Sequence, residues 1–167
     1  MGSTILRLAK WDEIDFAQSL WTIPAHNSKA SIVSKIHLSE SVKKLFRELR
    51  SLSQSQHVLT GSDRCEPLTE NTLPRAIKRI QERVGIPEWT AHDLRRTFAT
   101  QLGETLQVDP VVIEKFLGHK MPRIMATYNK NEMLPQRQEA LNLWAQCIEN
   151  LLRNDILFFQ PHIKENA

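Results

Sequence analysis

Disulfide-forming cysteines, membrane-length apolar runs and a strong excess of one charge are all missing from this 167-residue sequence, and each absence removes a class of protein. Its two cysteines, Cys65 and Cys147, lie far apart and outside any C-x-x-C pair, so no disulfide scaffold is expected and a reducing, cytoplasmic setting fits. No window approaches the roughly 18 apolar residues that would span a bilayer. The N-terminus also lacks the basic-then-apolar pattern of a secretion signal, so neither export nor a membrane partner is expected. No residues have metal-ligand spacing, and no internal repeat or low-complexity tract interrupts the chain. A net charge of +3, from 22 basic and 19 acidic residues, is too small to announce a nucleic-acid partner by itself.

What is present fits one compact domain: 41% hydrophobic and 25% charged residues, on a chain long enough to hold a core unaided. The basic residues are unevenly spread. Lys29, Lys35, Lys43, Lys44, Arg47 and Arg50 fall in one stretch, and Arg75, Lys78, Arg79, Arg83, Arg95 and Arg96 in another. Two basic segments hint at a nucleic acid, although solvated helix faces produce the same pattern.

Short strands suit Ile14-Asp15-Phe16, Leu20-Trp21-Thr22-Ile23 before Pro24, and Lys35-Ile36-His37-Leu38, giving a small antiparallel sheet. The polar connection from Ala25 to Ser34 would carry Lys29 at its tip. After Ser39, a serine N-cap, the period changes to that of a helix with Val42, Leu45, Phe46, Leu49 and Leu52 as its apolar stripe. A loop with a short apolar insert at Val58-Leu59 follows, then a helix bearing Leu73, Ile77, Ile80 and Val84, stopped by Gly85, with Pro74 obscuring its start. Thr90 caps a third helix through Leu94, Phe98 and Leu102, with Asp93 in its first turn. Asp109 and Pro110 open a fourth, holding Val112, Ile113 and Phe116 and ending at Gly118. A long helix after Pro135, with Leu141, Trp144, Ile148 and Leu151, closes a mainly α fold with a small N-terminal antiparallel sheet.

Three pieces carry chemistry. His92 and Arg95, three apart on a helix, can address one point in space; His119 follows Gly118 at a helix exit; Tyr128, the only tyrosine, comes nine residues later. Singly, each has an ordinary reading as a surface ion pair, a loop histidine or a packed phenol. In this order and spacing, His92-Asp-Leu-Arg95, Leu117-Gly-His119 and Tyr128 resemble the tyrosine recombinases, the phage integrase family. Trp11 to Asp15, Trp21 to Pro24, Lys29, the Leu38-Ser39 helix start and the Arg137 to Trp144 stretch resemble prophage and genomic-island integrases, so the likeness runs over roughly residues 6 to 150.

The resemblance implies a catalytic domain that cuts and rejoins DNA without a cofactor or metal. Tyr128 would be the nucleophile, forming a 3′-phosphotyrosyl intermediate. His92 would be its general base, Arg95 and His119 would hold the phosphate, and Lys29 would protonate the leaving 5′-oxygen, with Lys35 the rival for that role. Arg96, Lys120, Lys35, Arg75 and Arg79 are candidates for DNA binding. Double-stranded attachment sites, a homotetramer on DNA and accessory bending and excision proteins are the implied partners.

One departure stands out. The family pattern puts a first arginine nine or ten residues before Trp11, where Met1 and Gly2 stand; Arg7 is too close, and Lys10 follows it where an acid belongs. The expectation is a truncated, catalytically crippled domain over residues 4–152, behind an expression scar at 1–3 and ahead of a tail at 153–167, whose Leu157, Phe158 and Phe159 either dock on a neighbouring protomer or pack against the domain's own core. A non-catalytic DNA-binding module and a type IB topoisomerase are the rival readings.

Overall fold

The computed structural model describes residues 2–28, 31–61, 66–85, 87–118 and 132–153. A short helix, α1 (Gly2–Arg7), and one 3-10 turn at Trp11–Glu13 lead into the sheet. Strands β1 (Ile14–Asp15), β2 (Leu20–Ile23) and β3 (Ser34–His37) pair antiparallel in chain order, with Trp21 opposite both Ile14 and Ile36. Among the described residues five longer helices follow: α2 (Glu40–Leu52), α3 (Thr72–Val84), α4 (Ala91–Glu104), α5 (Pro110–Leu117) and α6 (Leu134–Leu152). The fold is the expected mainly helical one with a small N-terminal sheet.

Apolar burial divides into two clusters. Ala9, Trp11, Ile14, Trp21, Ile23, Leu38, Phe46 and Val58 form the first, between the sheet and α2. Leu102, Val112, Ile113 and Ala140 form the second, with Phe98, Phe116 and Trp144 packed against it. There, Phe98 of α4 meets Phe116 of α5 edge-on at 5.4 Å and Trp144 of α6 at 5.6 Å, so one aromatic ring joins three helices.

The helix ends follow the punctuation. Ser39 accepts from the Val42 amide, Asp109 from the Val111 amide at 2.7 Å, and Gly85 and Gly118 end α3 and α5 in left-handed conformations. Pro74 does not delay α3, which begins at Thr72, because a proline in the first turn gives up an amide that has no helical partner.

Several core assignments are corrected. On α2 the inward face runs through Val42, Lys43, Phe46 and Leu49, while Leu45 is 58% and Leu52 80% exposed. Lys43 takes an inward place because its ammonium donates to Ser19 Oγ at 2.7 Å and pairs with Glu40 at 2.5 Å. On α4, Leu94 is exposed, since the packed face follows Arg95, Phe98, Ala99 and Leu102. On α6 the buried positions are Arg137, Ala140 and Cys147, and Ile148 and Leu151 face outward. Helix α3 buries no residue, and Ile80 and Val84 are exposed; a polar tie from Gln81 Nε2 to the Trp89 carbonyl holds its end. Val58, read as a loop insert, is fully part of the first cluster, its amide bonded to the Ala9 carbonyl at 2.8 Å.

Leu102→Ala should destabilise the protein by about 2–5 kcal/mol, whereas Leu45→Ala should stay within about 0.5 kcal/mol. Urea unfolding of the two variants checks the corrected inward faces; equal losses would restore the original stripe.

Candidate active site

The first turn of α4 is fixed by a reciprocal cap. Asp93 Oδ2 accepts from the Thr90 amide at 3.0 Å and from Thr90 Oγ1 at 2.7 Å, while Thr90 Oγ1 accepts from the Asp93 amide at 3.4 Å. The hydrogen bonds from Thr90, side chain first and then backbone, hold the Asp93 carboxyl below the ordinary aspartate range, with Arg96 and His92 adding to the effect. His92 sits exposed in this same turn.

One turn on, Arg95 is half-buried and its Nη2 donates to the carbonyl of Leu117. Leu117 is the last residue of α5, a helix end where carbonyls lack helical partners and partial negative charge accumulates. A guanidinium is suited to that place. Gly118 follows with φ +59°, a left-handed conformation that ends α5; among the described residues a Cβ there would meet no atom within 4 Å, and the backbone angle calls for glycine. The structure therefore brings the His92-x-x-Arg95 turn and the Leu117-Gly118 exit together. His119, Lys120, Tyr128 and Lys29 lie outside the described residues.

The remaining candidates are dispersed. Arg96 is exposed and 3.7 Å from Asp93. Arg75 and Arg79 are exposed on α3 with Lys78 and Arg83 beside them, and Lys35 is exposed on β3 opposite Thr22. Among the described residues no three His, Cys, Asp or Glu side chains group as metal ligands.

One buried residue near the site runs against hydrophobic periodicity. Arg137 of α6 is 8% exposed, its guanidinium lies over the Phe116 ring at 5.3 Å, and its Nη2 donates to the Lys35 carbonyl at 2.9 Å. Burial pushes its pKa down, and Glu132 opposes that shift. The only sequence signal was its place in the integrase-like stretch after Tyr128, because its partners lie 102 positions away on β3 and across the helix interface.

Because the Asp93 carboxylate is favoured in the folded state, its contribution is fully present above the ordinary aspartate range and is lost as pH falls through its lowered value. Asp93→Asn should lower the melting temperature at neutral pH and narrow its gap to the parent protein on acidification. A gap that is constant with pH would contradict this assignment.

Comparison with known proteins gives one family. The model of the Phage integrase family matches residues 3–134. The prophage integrase IntZ of Escherichia coli is 30% identical over 148 residues, 88% of this chain and 36% of that protein. The prophage integrase IntA of the same organism is 30% identical over 145 residues, 84% of this chain and 34% of that protein. The integrase of Shigella phage Sf6 is 28% identical over 152 residues, 89% of this chain and 38% of that protein. The chain thus spans little more than a third of the curated relatives it matches. No solved structure matches it.

Proposed function

The chain belongs to the phage integrase family, and from that membership we propose that it is the catalytic part of a tyrosine site-specific recombinase that integrates mobile DNA. The observation that carries the reading is the Arg95 contact with Leu117, because it joins two motifs 22 residues apart at one helix exit, where the family pattern needs both beside a single phosphate.

The proposed reaction is one exchange at phosphorus. The Tyr128 oxygen bonds to the scissile phosphate as the bond to the 5′-oxygen breaks, leaving a 3′-phosphotyrosyl linkage and a 5′-hydroxyl. A phenol near its reference pKa of about 10 is a weak nucleophile at neutral pH, so its proton passes to His92. The 5′-oxygen takes a proton from the hairpin lysine, Lys29, with Lys35 as the alternative donor. Arg95 presents planar N–H donors to the non-bridging oxygens, whose charge grows toward the pentacoordinate transition state, and His119 donates one more hydrogen bond. Bond energy is conserved in the linkage, so the scheme requires no nucleotide or metal.

DNA attachment sites are the proposed partner, gripped in the parent assembly by a homotetramer with accessory bending and excision proteins. The exposed Arg75, Arg79, Arg96 and Lys35, with Lys120, would contribute phosphate contacts that set affinity more than sequence choice. With Met1 and Gly2 where the family pattern has its first arginine, the chain alone is proposed to cleave slowly. Extending it upstream with an arginine-bearing segment should raise the rate by about 100-fold or more, the usual worth of one transition-state donor.

The decisive test uses that extended protein and a nicked suicide duplex built on the attachment DNA flanking its gene, without metal or ATP. An SDS-resistant protein–DNA band that Tyr128→Phe abolishes, and Arg95→Lys reduces by about 100-fold, is expected. Native-gel shifting of the same duplex with no covalent band would transfer the reading to a non-catalytic DNA-binding module. Replacing Arg75 and Arg79 together by alanine should reduce the slope of log affinity against log salt by roughly two, at about 0.9 per phosphate contact. An unchanged slope would remove α3 from the interface.

A further inference from the structure

Arg137 is a buried cation, and burying a guanidinium carries a desolvation cost. Among the described residues no carboxylate lies within ion-pair distance of it, and its Nε has no hydrogen-bond partner. A methionine of similar length would cover the Phe116 ring without the desolvation that a guanidinium costs. The contacts it does make fall on elements that carry the site. Its ring partner, Phe116, immediately precedes Leu117, the acceptor for Arg95. Its hydrogen-bond acceptor is the backbone of β3 at Lys35, the strand that leaves the lysine-bearing hairpin. Its own helix, α6, is the first element after the segment holding Tyr128.

We propose that Arg137 is a positioning residue of the recombinase site, its guanidinium fixing β3, and through it the hairpin lysine, against the exit of α5. The guanidinium is needed because its Cζ lies over the Phe116 ring at 5.3 Å while its Nη2 donates to the Lys35 carbonyl at 2.9 Å, two contacts that the single point of an ammonium group cannot make together. Two neighbouring contacts run along the same boundary: His37 Nε2 to Asn142 Oδ1 at 3.3 Å, and Ser41 Oγ to Glu149. Of the three, only Arg137 reaches both β3 and α5.

This inference rests on the recombinase reading, and its test separates the two. Arg137→Lys and Arg137→Met, in the extended protein, are compared with the parent on two suicide duplexes, one with the natural bridging 5′-oxygen and one with sulfur in its place. Sulfur leaves as a thiolate and needs no proton, so a defect in placing the general acid disappears with it. The variants should bind DNA as the parent does and cleave the oxygen duplex roughly 100-fold more slowly, the cost of a displacement of about 1 Å. On the sulfur duplex they should approach the parent's rate. Equal losses on both duplexes, weaker DNA binding that accounts for the loss, or no loss at all would each overturn the role of Arg137. If Arg137→Met fails to fold, as its melting curve would reveal, the lysine variant decides the matter alone. A parent protein that forms no Tyr128-dependent adduct on either duplex would instead overturn the recombinase reading, and this inference with it.

Discussion

The constraint on which the structure turns is that two apolar cores must be held in register by one helix. The sheet and α2 enclose the first core, and α4, α5 and α6 enclose the second. Helix α6 serves both: Ala140 and Trp144 belong to the second core, while Arg137, Asn142 and Glu149 bond to β3 and to α2. Apolar contact is non-directional and permits sliding, whereas hydrogen bonds to a named carbonyl or side chain do not. The polar boundary therefore sets the relative placement of the two halves.

Within the second core the geometry is passed through aromatic rings. Phe98 lies three residues after Arg95 on α4, so the ring that packs against Phe116 and Trp144 also sets where the guanidinium emerges. Phe116 in turn carries Arg137 on its face and Leu117 beside it. Two guanidiniums thus bracket the last turn of α5, one holding its terminal carbonyl and one stacked on its ring. Each edge-to-face pair is worth about 0.5–1.5 kcal/mol beyond its buried area, enough to favour one arrangement of the three helices.

Local rules in the sequence read well where the physics is local. Ser39, Thr90, Asp109, Gly85 and Gly118 all act at the helix ends their chemistry suits, and the three strands pair as alternation and turns suggest. The recombinase motifs were legible because their order survives without any knowledge of the fold. What failed was the choice of inward face. Lys43 displaced Leu45 because Ser19 and Glu40 satisfy its ammonium; on α6 Cys147 is buried in place of Ile148, and Arg137 is buried because a ring and a carbonyl from distant elements receive it. Hydrophobic periodicity cannot foresee a buried cation, since its partners are set by tertiary contacts 24 and 102 positions away.

Among the described residues the charges around α4 leave Arg95 without a carboxylate partner. Asp93 stands two residues before Arg95 on α4, a spacing that puts the two side chains on different faces of the helix. Asp93 Oδ2 accepts both hydrogen bonds from Thr90, and its Oδ1 lies 3.7 Å from Arg96. Among the described residues Arg95 meets a neutral carbonyl rather than a carboxylate, so its full charge and its other N–H donors remain for an anion. Had a carboxylate held Arg95, an incoming phosphate would have to break an ion pair before gaining one. The cap at Thr90 thus starts the helix that carries Arg95, and the helical period turns the Asp93 carboxylate toward Arg96 and away from Arg95.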